Sequence, residues 1–157
     1  MKLFQIEEPE GGPADPGVPG IAIGIDLSGP VAIVAVAVGG NAVVLNDREG
    51  FEQQLTVPDP AAGADHWEEL FVAARLRAER ALARPATHVI IAVAADIDAP
   101  AAARLAIGAE QAGLSVLRLV PAAELPSDAG PALAAAIVAE DLAPRPEPGG
   151  GTGANLA

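Results

Sequence analysis

Hydrophobic residues in the first third of the chain form short runs that are separated by turns containing glycine and proline. An apolar run over residues 21–27 is followed by a turn at 28–30 and by the β-branched run Val31–Val38. A glycine-rich turn at 39–41 then leads into a shorter apolar run at 42–45. Runs of this length, joined by tight turns, predict three strands that form an antiparallel meander.

Apolar positions adopt helical spacing after a proline-rich stretch at residues 58–64. The spacing predicts a helix over 66–84 that ends before Pro85, since proline cannot continue a helix. Asp65, with Glu68 three positions later, is predicted to cap the start of this helix, although aspartate takes the place of the usual serine or threonine.

The remainder of the chain alternates between strand and helix patterns. Residues 89–94 are fully apolar and predict a strand that is buried on both faces, and residues 115–120 predict another strand. Between them, a helix over 99–112 is predicted to begin after Asp98 and to end at Gly113.

A final predicted helix over residues 130–141 completes the order β-β-β-α-β-α-β-α. This order predicts an α/β domain with a mixed five-stranded sheet, in which three strands are antiparallel and two are parallel crossover strands. Segments rich in proline and glycine flank these elements and predict a flexible leader at 1–20 and a flexible tail at 143–157. The folded domain is therefore predicted to span residues 21–142.

The chain carries 21 acidic and 9 basic residues, which gives a formal net charge of −12. This excess disfavours nucleic acid and anionic membrane surfaces as partners, because both attract clustered Lys and Arg. The sequence has no cysteine, which excludes disulfides, thiolate nucleophiles and cysteine-ligated metal sites. No apolar run reaches the roughly 18 residues of a membrane span, and the acidic start does not resemble a signal peptide, so we expect a cytoplasmic protein.

Few side chains in the sequence suggest metal or nucleophilic chemistry. Asp96 and Asp98 follow an apolar strand and invite a metal-binding interpretation, but Asp98 also stands where a helix cap is needed and no third ligand lies nearby. His66 and His88 are predicted to be surface residues, and they form no recognisable set with a nucleophile.

Four arginines are concentrated in the first predicted helix. We expect them to form a solvated face together with Glu79, and the alternative is a docking patch for an acidic partner. The four are Arg75, Arg77, Arg80 and Arg84.

Three segments of the chain resemble a known family. Residues 23–27, Ile-Gly-Ile-Asp-Leu, resemble the first strand of the actin-like ATPases, and in particular of the seventy-kilodalton heat-shock chaperones, where it reads Gly-Ile-Asp-Leu-Gly-Thr-Thr. Residues 87–93 and 109–120 are similar to later segments of that family in order and spacing. Residues 3–9 resemble the leader of the HscA-type branch, which serves iron–sulfur cluster assembly. The resemblance corresponds only to the first half of the family's nucleotide-binding domain.

The resemblance implies one lobe of the actin-like, ribonuclease H-like ATPase fold, with ATP and Mg²⁺ as cofactors. Asp26 would hold Mg²⁺ through water and orient the nucleotide, and its alternative role is to cap the turn after the strand. Glu124 would replace the family's glutamate that helps to order the attacking water. The implied nucleotide-binding residues are Gly24, Asp26, Ser28 and Gly29.

Much of the family's catalytic apparatus is missing from this chain. Pro30 stands in the phosphate-binding turn, and proline has no N–H to donate to a phosphate. The family's lysine near the γ-phosphate has no counterpart, because Lys2 is the only lysine in the sequence. Glu124 matches the family's glutamate only after a two-residue slip. Residues 149–153 resemble the second phosphate loop but lack its aspartate.

These departures predict a degenerate chaperone-type lobe that acts as a protein-binding or regulatory module and has weak or lost ATP chemistry. The alternative is a partial ATPase that hydrolyses ATP only when another chain supplies the second lobe. Without that lobe, apolar surface is expected at the face that carries Ser28, Gly29 and residues 122–126. We therefore expect self-association or a protein partner, such as a component of the chaperone or iron–sulfur assembly machinery.

Overall fold

The computed structural model describes residues 20–45, 55–126 and 130–143. The elements, in chain order, are β1 (Ile21–Asp26), β2 (Val31–Val38), β3 (Asn41–Val44), β4 (Leu55–Thr56), α1 (Ala64–Leu82), β5 (Ala86–Val93), α2 (Ala99–Gln111), β6 (Ser115–Pro121), a 3-10 turn (Ala122–Glu124) and α3 (Pro131–Leu142). The predicted α/β class and the three predicted helices are confirmed. The predictions for the leader up to residue 19 and for the tail from residue 144 lie outside the described residues.

The sheet is mixed, as predicted, and its strand order is β3-β2-β1-β5-β6. The three strands of the meander pair in antiparallel fashion, and β1–β5 and β5–β6 pair in parallel. The predicted number of five strands is wrong, because β4 adds a sixth strand by pairing with the start of β2 at Val31 and Ala32. A strand of only two residues is too short to produce a hydrophobic period in the sequence.

Helices cover the sheet on both faces because successive side chains of each strand point to opposite sides. Ile23 and Ile25 of β1 pack with α1 and α2 on one face, which we call the helix-pair face. Ala22 and Ala35 pack with α3 on the other, which we call the α3 face. Among the described residues, no helix is both long and apolar enough to cross a membrane.

The two helix starts that were predicted from capping aspartates have different outcomes. Asp98 caps α2 as predicted, because its side chain accepts a hydrogen bond of 2.8 Å from the Ala101 N–H. The predicted Asp65 cap is wrong, since α1 begins at Ala64 with Gly63 in the cap position and without a side-chain capping bond. Asp65 instead lies in the first turn, where its charge still favours the positive end of the helix dipole.

Candidate functional site

The carboxyl ends of β1 and β5 lie side by side near the middle of the sheet. The strands are parallel with Asp26 opposite Ala92, and the Leu27 N–H donates to the Ala92 carbonyl oxygen at 2.8 Å. In open α/β sheets, ligands bind at this edge of the strands. The residues that follow β1 and β5 are therefore the first place to look for a site.

Asp26, the proposed magnesium-associated residue, is 7% exposed at the end of β1. Its Oδ1 accepts hydrogen bonds from the Ser28 N–H at 2.9 Å and from the Ser28 hydroxyl at 2.6 Å. This arrangement closes the turn after the strand, in which Ser28, Gly29 and Pro30 are exposed. The structure thus shows the turn-capping role of Asp26, and its role toward Mg²⁺ stays a prediction.

Gly24, a predicted nucleotide-binding residue, is buried beneath α3. A Cβ atom at this position would lie 2.3 Å from the Ala136 nitrogen and 2.7 Å from the Ala132 oxygen. Glycine is required here because the backbones of β1 and α3 approach each other closely. Helix packing therefore accounts for Gly24, and α3 fills the space above it.

Glu124, the predicted water-ordering residue, is exposed in the 3-10 turn that follows β6. One strand, β5, separates β6 from β1, so the ends of β1 and β6 are about 10 Å apart. No hydrogen bond joins Glu124 to Asp26 in the described part of the chain. The neighbouring Leu125 is buried against the α3 face, so the predicted exposed surface at 122–126 is wrong for this side chain.

A cleft of about 450 Å³ lies at the carboxyl ends of β1 and β5, on the helix-pair face. The described residues that line it are 27–30, 57–60 and most of 93–98, together with Trp67 of α1 and Leu105 of α2. Leu27 lines the cleft, whereas Asp26 does not, because neighbouring strand side chains point to opposite faces. Of the predicted site residues, the structure brings Ser28 and Gly29 to the cleft and leaves Gly24, Asp26 and Glu124 outside its lining.

Among the described residues that line the cleft, the charged ones are all acidic: Asp59, Asp96 and Asp98. Asp59 accepts a hydrogen bond from the Ala61 N–H at 2.8 Å, and Asp98 caps α2. Asp96 is exposed and makes neither kind of bond. No group of three or more His, Asp or Glu side chains that could hold a metal ion occurs within residues 20–45, 55–126 and 130–143.

Arg104 of α2 braces one wall of the cleft. Its Nε donates to the Ala62 carbonyl oxygen at 3.0 Å, and a second guanidinium nitrogen donates to the Pro60 carbonyl oxygen at 2.6 Å. These bonds hold the segment after β4 against α2. Sequence reasoning missed this wall, although the prolines at 58 and 60 signal a segment with restricted backbone freedom.

Trp67 was predicted only as a core position of the first helix, and the structure also places it in the lining of the cleft. The residue is 2% exposed, and its indole N–H has no hydrogen-bond acceptor among the described residues. An unpartnered buried donor costs about 1–3 kcal/mol, so such groups are uncommon in folded proteins.

The predicted solvated arginine face of α1 is only partly correct. Arg80 is exposed, but Arg77 is buried, and burial lowers the pKa of its guanidinium. Arg75 is also used structurally: it bonds to Glu79 at 3.1 Å and to the Ala112 carbonyl oxygen at 2.9 Å. Glu79 in turn accepts from the Ala86 N–H at 2.9 Å, so this pair links α1 to β5 and to the end of α2.

The two histidines lie apart from the cleft lining. His66 is exposed near the start of α1, as predicted. His88 is half-buried within β5, so its prediction as a surface residue is wrong in part. Its Nδ1 lies 2.8 Å from the Thr87 hydroxyl oxygen, which gives the ring a local structural partner.

Comparison with known proteins adds no family assignment to this geometry. No protein-family model matches the chain, and no curated protein matches it.

Proposed function

We propose that this chain is a degenerate lobe of the seventy-kilodalton heat-shock chaperone type that acts as a protein-binding or regulatory module. The observation that carries the proposal is the character of the cleft: its described lining residues provide apolar walls and three carboxylates, and none of them is positively charged. Stabilisation of phosphoryl transfer depends on positioned cations and N–H donors, whereas apolar walls suit a protein segment. The cleft therefore favours protein binding over ATP chemistry.

The family part of the proposal is supported by the sheet. β1 lies at the centre of the strand order, and Asp26 is its last residue. The strands on one side of β1 pair in antiparallel fashion, and those on the other side pair in parallel. The resemblance of the sequence to the actin-like lobe implies this arrangement. The loss of ATP chemistry is supported by Pro30 in the turn and by α3, whose backbone lies directly over Gly24.

A partial ATPase that needs a second lobe from another chain is the alternative function. It is favoured by one observation: Asp26 stands at the carboxyl end of the central parallel pair, where α/β sheets place ligands. Both hydrogen bonds shown for Asp26 go to Oδ1, so its carboxylate would be the group that holds a hydrated Mg²⁺.

Calorimetric titration with Mg–ATP separates the two functions. We expect no binding at micromolar concentration by the wild-type chain, and no difference for Asp26→Asn. Micromolar binding that Asp26→Asn abolishes would contradict the proposal and support the alternative. ATP turnover that appears only with an added second chain, and that disappears with Asp26→Asn, would have the same meaning.

The protein-binding part is tested by sedimentation at micromolar concentration and by affinity capture with chaperone and iron–sulfur assembly components. We expect either self-association or a stable complex, and Gly29→Gln should weaken it because Gly29 is at the rim with open space around it. Ile137→Gln, at an exposed position of α3 on the opposite face, is the matched control and should have no effect. A strictly monomeric chain that forms no such complex would contradict this part.

A further inference from the structure

We infer that the cleft binds an extended protein segment in which apolar side chains are flanked by Lys or Arg. This inference rests on the proposed function, because it specifies the chemistry of the partner. Two features of the described residues support it: the walls of the cleft and the charge at its rim.

The walls of the cleft are suited to apolar side chains. Leu27, Val57, Val93 and Ile97 line it, and prolines 30, 58 and 60 contribute rigid apolar surface. Its volume of about 450 Å³ falls within the range of about 300–1,000 Å³ that is usual for ligand pockets. A cleft of this size holds a few side chains of a partner, and the rest of the partner would lie over the exposed rim.

The charge at the rim selects for a basic segment. Asp59 and Asp98 each use only Oδ1 in a local backbone bond, and Asp96 is exposed without such a bond. The described lining residues include no Lys, Arg or His. The net charge of −12 adds a long-range attraction for a cationic partner.

The Trp67 indole nitrogen is closed off from solvent. It is buried, it belongs to a lining residue, and no described residue accepts its hydrogen bond. The nitrogen has almost no accessible surface, so a ligand in the cleft would contact other atoms of the ring.

Trp67 also serves as the fluorescence reporter for peptide binding, because it is the only tryptophan in the sequence. The probe is a blocked hexapeptide, Gly-Lys-Leu-Leu-Lys-Gly, titrated into the full chain while tryptophan emission and calorimetric heat are recorded. One comparison peptide replaces both lysines with glutamate, and another replaces both leucines with serine. We expect binding and an emission change for the first peptide alone, with an affinity that falls as salt is added.

Substitution of Asp96 tests whether the acidic rim attracts the peptide. It leaves the helix cap of Asp98 and the turn bond of Asp59 in place. We expect Asp96→Asn to weaken binding of the lysine peptide by about two- to fivefold, the range of one exposed ion pair. Asp96→Lys should weaken it further. Asp141→Asn, an exposed carboxylate at the end of α3 on the opposite face, is the matched control and should leave the affinity unchanged.

The inference is overturned if the lysine and glutamate peptides bind equally, or if Asp96→Lys leaves the affinity unchanged. Binding heat without any change in Trp67 emission would place the peptide elsewhere and would also overturn it. Emission of the free chain that depends on its own concentration would identify a second copy as the occupant instead. Failure of the proposed function is detected separately by Mg–ATP binding, which does not depend on the peptide titration.

Discussion

The two faces of the sheet are packed in opposite ways. On the helix-pair face, large side chains fill the space between sheet and helices, with Phe71, Leu105 and Leu114 fully buried. On the α3 face, the buried residues are mostly alanines, and the backbone of α3 approaches β1 directly over Gly24. The first face is thus stabilised by the area that each side chain buries, and the second by close contact between backbones.

This difference explains where the cleft can form. Small residues let α3 lie flat on the sheet, which leaves little space between them. Large residues hold α1 and α2 farther from the strands, and beyond the last buried side chains the helix-pair face opens into the cleft at Trp67 and Leu105. The same contrast predicts opposite sensitivities to mutation on the two faces.

The largest expected effect is the loss of a large side chain from the helix-pair face. Phe71→Ala should reduce the free energy of unfolding by about 3–5 kcal/mol, because it removes a fully buried ring and leaves a cavity. Urea denaturation followed by circular dichroism measures the change, and Phe71→Leu, expected to cost about 1.5 kcal/mol or less, serves if the alanine variant does not fold. Leu76→Ala, on the exposed side of α1, is the control and should cost much less. Equal losses at both positions would contradict the described packing of α1.

The second-largest effect is expected on the α3 face, where adding one methyl group should reduce the free energy of unfolding. Gly24→Ala places a Cβ within 2.3 Å of the Ala136 nitrogen, so either α3 or β1 must shift. We expect a loss of about 3 kcal/mol in the free energy of unfolding, at the upper end of the usual range for overpacking. Gly29→Ala, which meets nothing within 4 Å, should change it by less than about 0.5 kcal/mol. A neutral Gly24→Ala would show that α3 does not pack closely on β1.

Much of the fold is predictable from the sequence because hydrophobic period and turn residues act locally. Each correct prediction rests on a signal that spans only a few neighbouring residues. Examples are the apolar runs over β1 and β2, the helical spacing around Trp67 and the Asp98 cap. β4 and the Gly63 cap position were missed because nothing in their own residues distinguishes them from a loop. Their structure depends on pairing with β2 and on the packing of α1, which a local pattern does not contain.

The site was less predictable than the fold because side-chain direction matters there. Asp26 and Leu27 are neighbours in sequence, yet their side chains belong to opposite faces of the sheet. The sequence motif therefore led to Asp26, whereas Leu27 is the residue that lines the cleft. Arg77 was predicted to be solvated because it is charged, yet it lies seven positions after Leu70 and three after Ala74, on the buried side of α1. The wall formed by residues 57–60 depends on Arg104, which is more than forty positions away in the sequence.

The smallest predicted effect concerns a link that holds the far end of the α3 face. The Glu140 carboxylate accepts hydrogen bonds from the N–H groups of Gly39 and Gly40, at 2.6 and 3.0 Å, and so ties α3 to the turn between β2 and β3. Both glycines have positive φ, as a two-residue turn between the paired residues Val38 and Asn41 requires. We expect Glu140→Ala to cost about 1 kcal/mol, since these bonds are charge-assisted but exposed.

The reference substitution for this link is Asp141→Ala, which removes the adjacent exposed carboxylate and should be nearly neutral. Hydrogen exchange provides the sharper measurement, because loss of the link should speed exchange of the Gly39 and Gly40 amides while those of β1 stay protected. If Glu140→Ala leaves both the unfolding midpoint and the exchange of these two amides unchanged, the α3 face is held by alanine packing alone. The contrast between the faces would then be stronger, because close backbone contact over Gly24 would be the main interaction that fixes α3 on the sheet.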